Sequence, residues 1–160
     1  PSPTATEQPT NPPTAVPTAT HTATPAPTAL PPEAQAYLDD VAMLTILYGD
    51  SMTAIANLSG QLADAPALLN DAQWRTDIAD AIATVRLCND AIRTLTPTAT
   101  HDVLHTYLLD AADHFDTAMD YMTSGLDQQN ADHLALAAEY ITLGNHSVQL
   151  ATDALRALQQ

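Results

Sequence analysis

From residue 33 onward, apolar side chains recur at alternating four- and three-residue steps, the spacing that gathers them on one face of an α-helix. The first stripe, Tyr37, Val41, Leu44, Tyr48, Ser51, Ile55, Leu58 and Leu62, predicts a helix over 33–62, opened by Pro32 at its first turn. Gly49 beside this face predicts a local bend or a close approach, and Gly60 an early end. Asp64 and Pro66 mark a connection, after which Asn70, with Gln73 as its reciprocal partner, or alternatively Asp71, caps a second helix over 70–95. That helix carries Trp74, Ile78, Ala81, Val85, Cys88, Ile92 and Leu95.

Thr96-Pro97 reads as a cap followed by a first-turn proline, so a third helix is expected over 97–124. Its stripe is His101, Leu104, Leu108, Ala111, Phe115, Ala118 and Met122, and Gly125 is expected to supply a left-handed cap. The fourth helix, over 127–158, presents Leu134, Ala137, Ile141, Gly144, Val148, Ala151, Leu155 and Leu158, with Gly144 admitting a neighbouring backbone.

Four amphipathic segments with short connections predict an all-α protein, an up-down-up-down antiparallel four-helix bundle. Its expected core is Leu44, Tyr48, Ile55, Trp74, Ile78, Val85, Cys88, Ile92, Leu104, Leu108, Phe115, Ile141, Val148 and Leu155. No uninterrupted apolar run reaches the length of a membrane span, so no transmembrane segment is expected.

Residues 1–32 have a different character: ten prolines, nine threonines and one charged side chain, Glu7. Proline fixes φ and restricts the residue before it to extended backbone, while short Thr and Ala side chains offer little to bury. The expectation is an extended Pro/Thr-rich arm lying along its own bundle or a neighbouring subunit. Thr18, Thr20, Thr22, Thr24 and Thr28 match the composition of an O-glycosylated stalk.

Charge narrows the partners. Sixteen aspartates and three glutamates face four arginines and no lysine, a formal net charge of −15. Such a chain has no basic surface with which to displace counterions from a nucleic acid, and it repels an anionic membrane. Divalent cations on the acidic surface are compatible partners, notably along Asp110, Asp113, Asp116 and Asp120, though these carboxylates read foremost as a solvated face.

Among candidate metal ligands, His101 and His105 lie one helical turn apart, with Asp153, Asp39 or Asp40 as completing carboxylates. The motif of a zinc protease, the paired Glu-x-x-His of a di-iron bundle, a phosphate loop and a nucleophile elbow are all missing, so neither a cofactor nor an enzymatic activity is expected. Cys88, the sole cysteine, falls on an apolar stripe and reads as a small buried hydrophobe.

The segment 9–32, including the run Pro9–Thr28, resembles the Pro/Thr/Ala linkers of secreted proteins and lipoproteins of filamentous Chloroflexi-type bacteria. The succession Tyr37, Trp74, Leu95-Thr96-Pro97 and His105 resembles uncharacterised extracellular helical domains from the same group. The resemblance implies export, to the cell surface or beyond, and carries over no catalytic residue. With the arm, it favours an extracellular structural protein that self-associates through arm and bundle, as in a filament or surface layer. The alternative is a stalk-tethered binding or sensory module, which an apolar pocket near Trp74, Tyr48 or Tyr107 would favour.

Overall fold

Proline at the start, acidic Glu33 in the first turn and a long run free of further breakers produce the first helix, α1 (Pro32–Asp64). The computed structural model describes residues 30–159; the expected arm up to residue 29, with Thr18, Thr20, Thr22, Thr24 and Thr28, lies outside them. Three more α-helices follow, α2 (Ala72–Thr94), α3 (Asp102–Gln128) and α4 (Ala131–Leu158), with short 3-10 turns at Pro66–Asn70 and Ala99–His101. No strand occurs among the described residues; the protein is all-helical and bundle-like.

The helix ends differ from the sequence expectation in instructive ways. The α1 helix runs through Gly60 to Asp64, and a Cβ at Gly60 would meet nothing within 4 Å. Asp71, not Asn70, caps α2: its carboxylate accepts the Trp74 backbone N–H at 2.8 Å, while Gln73 turns to Asp77 instead. The third helix starts five residues late. Thr98, in extended backbone, accepts the His101 N–H at 2.7 Å and pairs through its hydroxyl with His101 Nδ1, so a 3-10 turn precedes α3.

At the other end α3 passes straight through Gly125 and stops at Gln129, which takes the left-handed conformation with φ 51°. Asn130 then caps α4, its Oδ1 accepting from the Asp132 and His133 N–H groups. Gly125 is needed for proximity rather than for a turn: a Cβ there would lie 2.7 Å from the Leu134 side chain.

Neighbouring helices pair with opposed numbering. Arg75 meets Asp127 and Arg93 meets Asp113 across α2 and α3; Gly125 faces Leu134 and Gly144 faces Phe115 across α3 and α4. The closest pair by far is α3 with α4, followed by α1 with α2 and α2 with α3. By contrast α1 and α4 remain apart. The innermost layer comprises Val85, Cys88, Ala112, Phe115, Ala118, Met119 and Ala137, all essentially closed to solvent. Burying a side chain as large as Phe115 or Met119 contributes about 1.5–3 kcal/mol.

Of the expected core, Leu44, Tyr48, Ile55, Trp74, Ile78, Val85, Cys88, Ile92, Leu104, Leu108 and Phe115 are buried, but Ile141, Val148 and Leu155 are only half-buried. What α4 buries completely is a set of small residues, Ala137, Gly144, Ser147 and Ala151. Ala137, Gly144 and Ala151 repeat every seven residues, as do Ala111, Ala118 and Gly125 on α3. Two such stripes let the helices approach closely, and that approach turns the larger side chains of α4 off the central axis. Gly144 admits not a backbone but the Phe115 ring, which a Cβ would meet at 2.5 Å.

Candidate functional site

Polar groups inside the protein are few and mostly committed to one another. Tyr37 of α1 reaches α3, where its hydroxyl pairs with His105 Nδ1 at 3.2 Å and its ring packs on both His101 and His105. Burial, reinforced by the negative charge of Asp102, pushes the Tyr37 phenol up to about 12. It therefore stays protonated beside His105. Burial pushes His105 down, only partly offset by Asp102.

The two histidines expected as a metal pair are thus buried around an aromatic ring. His101 pairs with Thr98 and His105 with Tyr37. The carboxylates proposed to complete the shell are placed otherwise: Asp153 accepts from Gln149 and Arg156, and Asp39 from Gln35. Among the described residues, no three His, Cys, Asp or Glu side chains converge as a metal set.

The acidic flank of α3 is not simply solvated. Asp113 and Asp116 both bind Arg93, Asp120 binds Arg86 at 2.7 Å, and Asp127 binds Arg75 at 3.1 Å. These pairs lace α2 to α3. Hydrogen bonds from Asp113 and then Asp116 raise the Arg93 pKa further, so its charge is permanent. Exposed pairs of this kind contribute about 0.2–1 kcal/mol each. Arg156 is held by Asp153 on α4, so every arginine of the chain already has a carboxylate partner.

Deeper in, Asn89 donates to Asp116, while its carbonyl oxygen and the Tyr48 hydroxyl are buried without a hydrogen-bond partner. Burial raises the Tyr48 phenol and the Cys88 thiol well away from their reactive forms. None of these groups is poised as a nucleophile.

The remaining feature is a long apolar groove where α1 and α4 fail to meet. Its widest compartment, about 570 Å³, lies between Met52–Ala63 of α1 and Leu134–Asn145 of α4, with Trp74 and Met122 lining it from α2 and α3. A narrower one, about 190 Å³, is lined by Tyr48, Gly49 and Phe115; a third, about 420 Å³, continues past Val148 to Leu155. All three are lined without a single charged side chain, in a chain carrying nineteen carboxylates. A separate cleft of about 310 Å³ between α2 and α3 differs, for Arg75, Arg86 and Asp127 line it.

The groove explains Ile141, Val148 and Leu155: they are its α4 wall rather than core. Trp74 is buried, its indole N–H donating to the Leu58 carbonyl at 3.2 Å, with part of the ring lining the wide compartment. The α4 stripe gave no sign of the opening. The signal that could have found it was the seven-residue repeat of small residues on both α3 and α4, which pulls those two helices together.

The surface of α1 beyond the groove is also apolar, with Met43 and Leu47 exposed and Ile46 65% exposed at the groove's edge. By length and composition α1 is apolar enough to cross a membrane, although no uninterrupted apolar run in it reaches that length. Alanine, leucine and isoleucine with few charges give the same average, a property shared by core helices of proteins in water.

No protein-family model matches the chain, and no curated protein or solved structure matches it.

Proposed function

We propose that this chain is a tethered binding module: an antiparallel up-down-up-down four-helix bundle whose α1–α4 seam takes an elongated apolar ligand. One observation carries the reading, the uncharged groove along that seam. Pockets for small ligands are concave, mainly apolar and usually about 300–1,000 Å³, a range that includes the compartment beside Trp74 at about 570 Å³. Four helices around one core would normally close this seam with large side chains. Here the large side chains of α4 along the seam, Ile141, Val148 and Leu155, are only half-buried.

The Pro/Thr-rich composition of residues 1–32 supports an extracellular or cell-surface setting, with the arm as spacer and carrier of glycans. The module works without catalysis, since its Cys88 thiol and Tyr48 phenol are shut away and raised.

Saturable binding of an uncharged solvatochromic dye such as Nile red, at one site per chain and with quenching of Trp74 emission, is the expected result. A dye signal that rises linearly without saturation would remove the reading. A second reading, self-association, draws on the exposed Met43, Ile46 and Leu47 of α1. Native mass spectrometry of the full chain decides it: a dimer at micromolar concentration supports association, and a monomer throughout removes it.

A further inference from the structure

We infer that the occupant of the wide compartment is a single unbranched aliphatic chain with an uncharged head, and that the protein discriminates against the same chain carrying a carboxylate. This rests on the binding reading above and adds the chemistry of the ligand.

Dimensions argue for a chain over a helix. One turn of α-helix about 10 Å across and 5.4 Å tall occupies about 420 Å³. The middle compartment offers about 190 Å³, less than half of that, so a helix could not be enclosed along the groove. The wide compartment follows α1 from Met52 to Ala63. At 1.5 Å per residue that is roughly 17 Å. One acyl chain fills half of a hydrocarbon core about 30 Å thick, or roughly 15 Å. The match is close, and the compartment is walled by Trp74, Met122, Leu134 and Ile141, which offer only dispersion and apolar contact.

Charge decides the head. Ser59 and Asn145 are the polar side chains of this compartment, and both are neutral. A carboxylate or phosphate head needs a cation, and the chain has none to spare: lysine is absent and Arg75, Arg86, Arg93 and Arg156 are each already paired. The surrounding net charge of −15 adds long-range repulsion. A hydroxyl head is satisfied by Ser59 or Asn145 without either penalty.

Trp74, the only tryptophan, lines the compartment and also the α2–α3 cleft, so its emission senses occupancy of either and the groove-filling variants below assign the signal. The full chain is titrated with 1-hexadecanol and with palmitate at pH 8 in low salt, following Trp74 emission and the mass of the native complex. Hexadecanol is expected to bind one per chain, with palmitate at least tenfold weaker and approaching hexadecanol in high salt. Equal affinity for the two at low salt overturns the head-group inference while leaving the groove as a binding site. If neither adds mass and the chain appears as a dimer, or as an empty monomer, the binding reading falls as well. Ala138→Phe and, from the opposite wall, Ser59→Phe fill the compartment at exposed positions, and each is expected to abolish the hexadecanol adduct while helicity is unchanged. Retention of the adduct by both correctly folded variants also overturns the assignment.

Discussion

The two long faces of α4 show how residue size alone can close one helix interface and leave another open. On its inner face α4 presents Ala137, Gly144, Ser147 and Ala151, all buried, with Gly144 against the Phe115 ring of α3. Toward α1 it presents Ile141, Val148 and Leu155, none of them fully buried. The larger residues carry more apolar surface, yet they stand at the interface that stays apart. Close approach depends on what the opposing helix offers. Across the α3–α4 interface the Phe115 ring fills the space left by Gly144; across the α1–α4 groove no side chain fills the gap between opposing walls. Hydrophobic periodicity reports which residues avoid water. It does not report which helix they will meet.

The strongest way to break the closed face is to remove its filler. Phe115 is 2% exposed, packs on Tyr48 with ring centroids 5.2 Å apart and fills the space beside Gly144. Phe115→Ala is expected to cost about 3–5 kcal/mol, read as a lowered denaturant midpoint. Because Phe115 also walls the 190 Å³ compartment, its loss enlarges the groove from within. A loss below about 1 kcal/mol would mean that α3 and α4 are not packed through this ring.

Gly144→Ala comes next. Alanine is the better helix former by about 0.5–1 kcal/mol. Its Cβ would lie 2.5 Å from the Phe115 ring, and overpacking of this kind costs about 1–3 kcal/mol. The expected net is a destabilisation of about 1–2 kcal/mol. Gly49→Ala sharpens the comparison, since the same substitution on α1 meets nothing within 4 Å. There the helix-propensity gain stands alone, so stability is expected to rise by about 0.5–1 kcal/mol. Thermal unfolding of the two variants side by side should therefore move in opposite directions. Movement in the same direction would show that the faces do not differ as described.

Legibility followed the same division. The all-helical class and the buried stripes of α1, α2 and α3 could be read from four- and three-residue steps, because on those helices the stripe and the buried face coincide. On α4 they do not. The sequence reading grouped Gly144 and Ile141 on one seam, whereas the fold uses Gly144 for proximity and Ile141 for a groove wall. The groove was legible only as a condition, an apolar pocket near Trp74 or Tyr48, because an opening between helices depends on distances that no single stripe encodes. The Arg86–Asp120 and Arg93–Asp116 pairs were hidden for a similar reason: an acidic flank looks solvated until its partner helix is known.

The smallest expected effect concerns the terminal end of the open face, where Tyr37 ties α1 to α3 through His105. His105 is pushed below its ordinary value of 6.5, chiefly by burial. In the unfolded chain the same imidazole takes up its proton as pH falls through 6.5, so below that point the unfolded state binds more protons than the folded one. Stability should be independent of His105 above 6.5 and decline as pH falls toward the folded-state value, after which its contribution levels off. Asp102 opposes the decline by favouring the cation, and the neighbouring His101 ring is itself held by Thr98. In His105→Gln the dependence between pH 7 and 5.5 should be shallower than in the parent, with hydrogen exchange in the first turns of α1 losing its acid acceleration. A parent and variant with parallel pH profiles would show that this contact does not govern how firmly α1 is held, and that the groove's opening owes nothing to its terminal anchor.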